Sequence, residues 1–255
     1  MNLILFILTI FSTWVTAGFW YSISIISILF VHEMGHYLMC RRYGVSATLP
    51  YFIPFPLLNP FGTMGAVIRM KGIIPDRKAL FDIGAAGPIA GFLLSLPAVA
   101  IGIYFSTVIP AGENSEFSIQ LGEPLLFKFI SNLIVGPLDD SHDILLHPVA
   151  YAGWAGLFVT SLNLLPIGQL DGGHVLYSLF GKKSRLFYLV FLGFLGMLSL
   201  VYPGWILLFI LLVFLGRKHP PPWNDFTPLD KKRQLLSFIV FIIFLISFTP
   251  TPFIL

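Results

Sequence analysis

"FVHEMGHYLMCRRYG", residues 30–44, closes an apolar run that starts at Leu3 and carries no charge before Glu33. An ionisable side chain inside hydrocarbon costs about 2.5–3.5 kcal/mol on insertion scales, so such residues mark working positions. His32, Glu33 and His36 are therefore the first candidates for a site. The run from Leu3 to Cys40 exceeds one span of about 20 residues. A break near Thr16-Ala17-Gly18 is expected, leaving a short first span and a second that ends on the quoted motif.

The rest of the chain has the same character. Of 255 residues, 56% are hydrophobic and 11% charged, against about 25% charged in soluble domains. Mean hydropathy is +0.87. A water-exposed surface cannot be assembled from so few charges, and the expected fold class is an all-α polytopic membrane protein. Further apolar runs lie at about 79–105, 149–165, 186–201, 204–215 and 235–248, giving six to seven transmembrane helices in one domain, 1–255. A catalytic core at about 20–180 and accessory helices at about 186–250 are expected. The apolar N-terminus lacks a positive flank, so it is read as a membrane anchor and not as a cleaved signal. A single cysteine, Cys40, excludes an intrachain disulfide and a thiolate-rich metal site.

The net charge of +3 does not point to nucleic acid, because the basic residues follow membrane topology. In an alternating arrangement of spans, all of the 15 lysines and arginines except Lys128 fall on one side. The positive-inside rule makes that side cytosolic. Glu113, Glu116, Glu123, Asp139, Asp140 and Asp143 crowd the loop at about 106–147, which then lies outside. The lipid bilayer is one partner, and a multi-pass protein of the cell membrane is expected.

Residues 44–78 do not read as a span. Pro50, Pro54, Pro56 and Pro60 block regular helix, and "GTMGAVIRM" (62–70) suits a short strand. An embedded β-strand or hairpin loop is expected after the "HEMGH" helix.

His32 and His36 stand four residues apart, which on a helix places both imidazoles on one face. Glu33 follows about 100° round. This is the HExxH arrangement, in which two neutral imidazoles bind zinc and the carboxylate handles a proton of the attacking water. A shuffled chain of this composition would show the spacing roughly 0.002 times. Two histidines leave one ligand to be found. Asp171, His174, His142, His147 and His219 are the candidates. His142 and His147 belong to the outside loop, and His219 follows a later span. Asp171 is expected at the cytosolic end of the fourth span, where Pro166 and Gly172-Gly173 break the helix and let the backbone present a carboxylate. Asp171 is therefore preferred, against a simple helix-end aspartate.

"HEMGH", "FDIGAAGPIAG" (81–91) and "NLLPIGQLDGGH" (163–174) together resemble the site-2 protease family of intramembrane zinc metalloproteases, over about residues 20–180. The resemblance implies His32, His36 and Asp171 as ligands of one Zn2+ per chain and Glu33 as the catalytic acid and base. It implies membrane-protein substrates cut in or near transmembrane segments, with the active site near the cytosolic face. No room is seen for an inserted PDZ domain or a C-terminal CBS pair, so a bare catalytic core is expected.

Other residues are open to two readings. Asn163 suits either a substrate contact or an interhelical hydrogen bond. His174 is read as interfacial in preference to supporting the site. Gly87 and Gly91 read as close helix packing, and Asp82 as a cap or an orienting group. Gly65 and Val67 belong to a strand whose open edge could hold an unwound substrate. The rival to a protease is a non-proteolytic metal-binding membrane protein or a metal transporter. A transporter should carry ionisable groups at several depths, and here they crowd one face.

Overall fold

A computed structural model describes residues 2–56, 59–111, 120–139, 141–215 and 219–254. Glu113, Glu116, Asp140, Arg217 and Lys218, used above in assigning sides, lie outside the described residues. The first helix, α1, runs Asn2–Arg42 and is interrupted where Ala17 (φ −145°, ψ 22°) and Gly18 (φ 83°, ψ 177°) leave helical geometry. That is the expected break. The kink is closed by hydroxyls: Thr13 and Ser22 lie 2.7 Å apart, and Ser22 donates to the Ile10 carbonyl at 3.1 Å. An apolar surrounding offers no water to the polar backbone groups freed at a kink, so side chains must supply the partners.

Helix α2 (Arg77–Tyr104) starts where the Asp76 side chain accepts the Ala79 N–H. Helix α3 (Leu125–Ile134) is short, and α4 (Pro148–Asn163) begins with Pro at its first turn. Helices α5 (Asp171–Phe180) and α6 (Ser184–Val201) are joined by a 3-10 turn at Gly181–Lys183, and α7 (Trp205–Leu215) and α8 (Lys231–Ser247) complete the set. Among the described residues three helical stretches are long and apolar enough to cross a membrane: Asn2–Arg42, Arg77–Tyr104 and Asp171–Val201. The fourth apolar run forms α4 at nearly its expected bounds. The fifth forms α6 at nearly its expected bounds, and α5, unexpected, precedes it so that the helical stretch begins at Asp171. Asp171 thus opens α5 and does not end α4; Leu164 to Leu170, with Gly168 at φ 55°, turn the chain between them.

The fold is mostly helical but not purely so. Strands β1 (Tyr51–Pro54) and β2 (Thr63–Val67) pair antiparallel, with Tyr51 opposite Val67 and Phe52 opposite Ala66. This is the expected hairpin. Two further strand pairs were not legible as strands. One joins β3 (Thr107–Pro110) to β5 (His142–Leu145), and the other joins β4 (Gln120–Leu121) to β6 (Phe253–Ile254). The last brings the C-terminal segment against the loop between α2 and α3, a long-range contact that periodicity cannot announce.

Helix α2 is central, packing on α1, α4 and α5. Tyr21, Phe81 and Trp154 are fully buried in this core. The β1–β2 tip is drawn between α1 and α4: Tyr21 donates to the Phe61 carbonyl at 3.0 Å and Tyr151 to the Pro60 carbonyl at 2.8 Å. The Phe61 ring packs among Tyr151, Trp154, Phe158 and Phe253. The hairpin is therefore threaded into the helix bundle at its tip, and β2 leads from there back towards His32 and His36.

Asp82 orients a neighbour. Arg233 of α8 donates Nε to one oxygen at 2.8 Å and a terminal nitrogen to the other at 2.6 Å, and Tyr43 also donates to it. Arg233→Met leaves a part-buried carboxylate without its cation and is expected to lower stability by about 1–3 kcal/mol. The thermal midpoint of the purified protein in detergent checks this, and it should fall while zinc content stays constant.

Candidate metal centre

His32 and His36 lie on the inward face of α1, 3% and 6% exposed. Their Nε2 atoms are 3.2 Å apart. Asp171, in the first turn of α5, places Oδ2 at 3.4 Å from His32 Nε2 and 3.3 Å from His36 Nε2. Among the described residues these three form the one group of histidine, cysteine and carboxylate side chains able to hold a metal ion. A tetrahedral zinc with bonds of about 2.0–2.1 Å keeps its ligand atoms about 3.3–3.4 Å apart. The three observed separations match that figure within about 0.2 Å.

The tautomer of His36 is set by geometry. Its Nδ1 lies 2.7 Å from the Ile83 carbonyl, which can only accept, so Nδ1 carries the proton and Nε2 offers a lone pair. Two lone pairs and a carboxylate oxygen converge on one point, an arrangement suited to a cation.

The seat for these imidazoles is made by α2. A Cβ at Gly87 would fall on the His36 ring, and one at Gly91 would come within 3.0 Å of His32 Nδ1. Expected as packing residues, both glycines do let helices approach, but what they admit is the imidazole pair. The small residues of "GAAGPIAG" (84–91) signal close packing on this face, but not what packs there.

Glu33 is 6% exposed, with Oε1 4.0 Å from His32 Nε2. It stands beside the three converging atoms and is not one of them. The Ile68 backbone lies beside its carboxylate, and both line one cavity. A cavity of about 200 Å³ opens there, lined by the three converging side chains, Glu33, Asn163 and the chain from Ala66 to Ile68. Asn163 Nδ2 lies 3.1 Å from His32 Nε2. Val67 lines the cavity and Gly65 does not, although Gly65, at φ 95°, turns the strand just before it. His142 and His147 are remote, pairing with Asp139 and capping α4 respectively. His174 differs from its expected interfacial place: it is buried, lines the cavity, and contacts His219 at 2.6 Å. His219, a ligand candidate set aside because it follows a later span, is instead the partner of His174 across 45 residues.

The family model of peptidase family M50 matches residues 20–200. The chain is 34% identical over 232 residues to the probable zinc metalloprotease EGY1, chloroplastic, of Arabidopsis thaliana, covering 89% of this chain and 42% of that protein. It is 32% identical to the probable zinc metalloprotease EGY2, chloroplastic, of the same plant, covering 89% of this chain and 40% of that protein. The chain thus spans about two fifths of the length of these relatives.

Gly87→Ala should displace His36 and lower bound zinc about as far as His36→Ala does. Gly193→Ala, on α6 with open space around its Cα, should leave zinc unchanged. Metal analysis of the purified variants checks both.

Proposed function

This chain belongs to peptidase family M50, and we propose that it is an intramembrane zinc endopeptidase that hydrolyses peptide bonds in or near transmembrane segments of other membrane proteins. The observation that carries this reading is the triangle of His32 Nε2, His36 Nε2 and Asp171 Oδ2, with sides of 3.2–3.4 Å, beside a carboxylate that stays outside it. His32, His36 and Asp171 hold one zinc ion per chain. When bound, zinc supplies a Lewis acid that polarises the scissile carbonyl and makes water a better nucleophile at neutral pH.

The remaining work falls to the chain. Glu33 takes a proton from the attacking water and delivers it to the leaving amine. Its neighbours define where the water and peptide meet: the Ile68 amide on one side, the His32 imidazole on the other. Asn163 is within reach of the reacting carbonyl oxygen and donates to it as negative charge builds. A helical peptide bond is protected by its own hydrogen bonds and must be unwound before attack. The backbone from Gly65 through Val67 to Ile68 supplies a strand to which an unwound segment adds.

On this reading the protein is a single domain of six to seven spans in a cell membrane, with its site near the cytosolic face, a side supported by the gathering of lysines and arginines there. The names of the plant relatives place those proteins in chloroplasts, and that address is theirs. The rival reading, a metal carrier or a non-proteolytic metal binder, is disfavoured by the grouping of the site: a carrier should hold ionisable groups at several depths, whereas His32, Glu33, His36 and Asp171 cluster at one place.

Glu33→Gln is expected to keep one zinc per chain and to lose cleavage of a membrane-embedded reporter by at least about a thousandfold, the usual scale for removing an acid–base group together with its charge. Cleavage at the unaltered rate refutes the mechanism. Ile68→Pro removes one backbone donor of the strand and should slow cleavage about tenfold without loss of zinc. A rate equal to the parent's rules out strand addition at that residue.

A further inference from the structure

Residues 219–225 return against the start of α2 and against α5. The Trp223 N–H donates to the Ile74 carbonyl and the Asn224 N–H to the Pro75 carbonyl, each at 2.9 Å. Asp225 receives Arg77 Nε at 2.8 Å and the Tyr177 hydroxyl at 3.0 Å. The strap so held presents His219, whose ring stacks on Tyr177 with centroids 4.4 Å apart.

Its hydrogen bonds run in one direction. His219 Nδ1 lies 2.8 Å from the Pro220 carbonyl, which only accepts, so Nδ1 carries the proton. In the neutral ring Nε2 is then an acceptor, and it receives Nδ1–H of His174 at 2.6 Å. His174 is left with Nε2 unprotonated, and its side chain lines the same cavity as Glu33 and Asp171. A base oriented by a second group that fixes its tautomer is a common device in hydrolytic sites.

We infer that His219 is a positioning residue: it fixes His174 in the tautomer whose Nε2 accepts a hydrogen bond from a backbone N–H of the peptide beside Glu33. This rests on the protease reading for its ligand, an extended peptide, but not for its geometry. An unwound segment brings amide donors as well as carbonyls into the cavity. A buried acceptor that receives one of them favours the extended over the helical form of the substrate.

The experiment compares His219→Leu, which removes the acceptor, with His219→Gln, whose amide oxygen can stand where Nε2 stood. Each full-length protein carries 15N-histidine, zinc content is measured, and a synthetic transmembrane peptide is the probe in phosphatidylcholine and phosphatidylglycerol vesicles. The His174 signals are identified by their absence in His174→Gln. The expected result is a His174 protonated on Nδ1 in the parent and in His219→Gln, and a mixed or reversed tautomer in His219→Leu. Zinc should be equal in all. The kcat/KM of His219→Leu should fall about tenfold, with His219→Gln within about threefold of the parent, on the scale of one hydrogen bond. An unchanged His174 tautomer in His219→Leu overturns the inference, as does a His219→Gln no better than His219→Leu. If the parent cleaves nothing, the protease reading fails by itself, and the tautomer still decides the part played by His219.

Discussion

Two imidazole nitrogens and a carboxylate oxygen converge within 3.2–3.4 Å of one another in a helix bundle from which water is largely excluded. Lone pairs so close repel, and apolar neighbours do nothing to relieve them. A divalent cation would turn the repulsion into coordination. Much of the surrounding structure serves this convergence. Gly87 and Gly91 clear space in α2, the Ile83 carbonyl fixes the His36 tautomer, and the turn after α4 aims Asp171 at its partners. Asp171 in the first turn of α5 also lies at the favourable end of that helix's dipole.

The β2 backbone and His174, which the strap holds, both line the cavity. Strand β2 descends from a tip fixed by Tyr21 and Tyr151 to the amide of Ile68 beside Glu33. The strap carries His219 to His174 and is fastened by Asp225 to α2 and α5 through Arg77 and Tyr177. On the proposed reading, a peptide in the cavity would meet the β2 backbone and the His174 imidazole. Burial of His219 disfavours its charged form and holds its pKa below the ordinary histidine value, in keeping with its role as an acceptor.

What could be read in the sequence was local or charge-borne. The four-residue spacing of His32 and His36, the break at Ala17-Gly18 and the hairpin after Tyr43 each depend on a few adjacent residues. Asp171 was found by counting spans and signs of charge, yet its helix was misassigned, since "IGQLDGGH" (167–174) reads equally as an end or as a beginning. The capacity of Gly87 to seat an imidazole was hidden, because a small-residue stripe does not say what packs on it. The His174–His219 pair and the β4–β6 pairing were out of reach, for contacts across 45 residues or more leave no periodic trace.

The central claim is that a peptide bond within a membrane span is brought to Glu33 at the cytosolic depth of His32, His36 and Asp171. The most direct measurement is mass spectrometry of the products formed when the zinc-loaded protein and a transmembrane peptide of known orientation share one vesicle. The account predicts a single cut in the cytosolic half of the spanning segment, lost when zinc is chelated and restored when it is returned. Cuts confined to the water-exposed flanks, or in the half facing away from the cytosol, would contradict it.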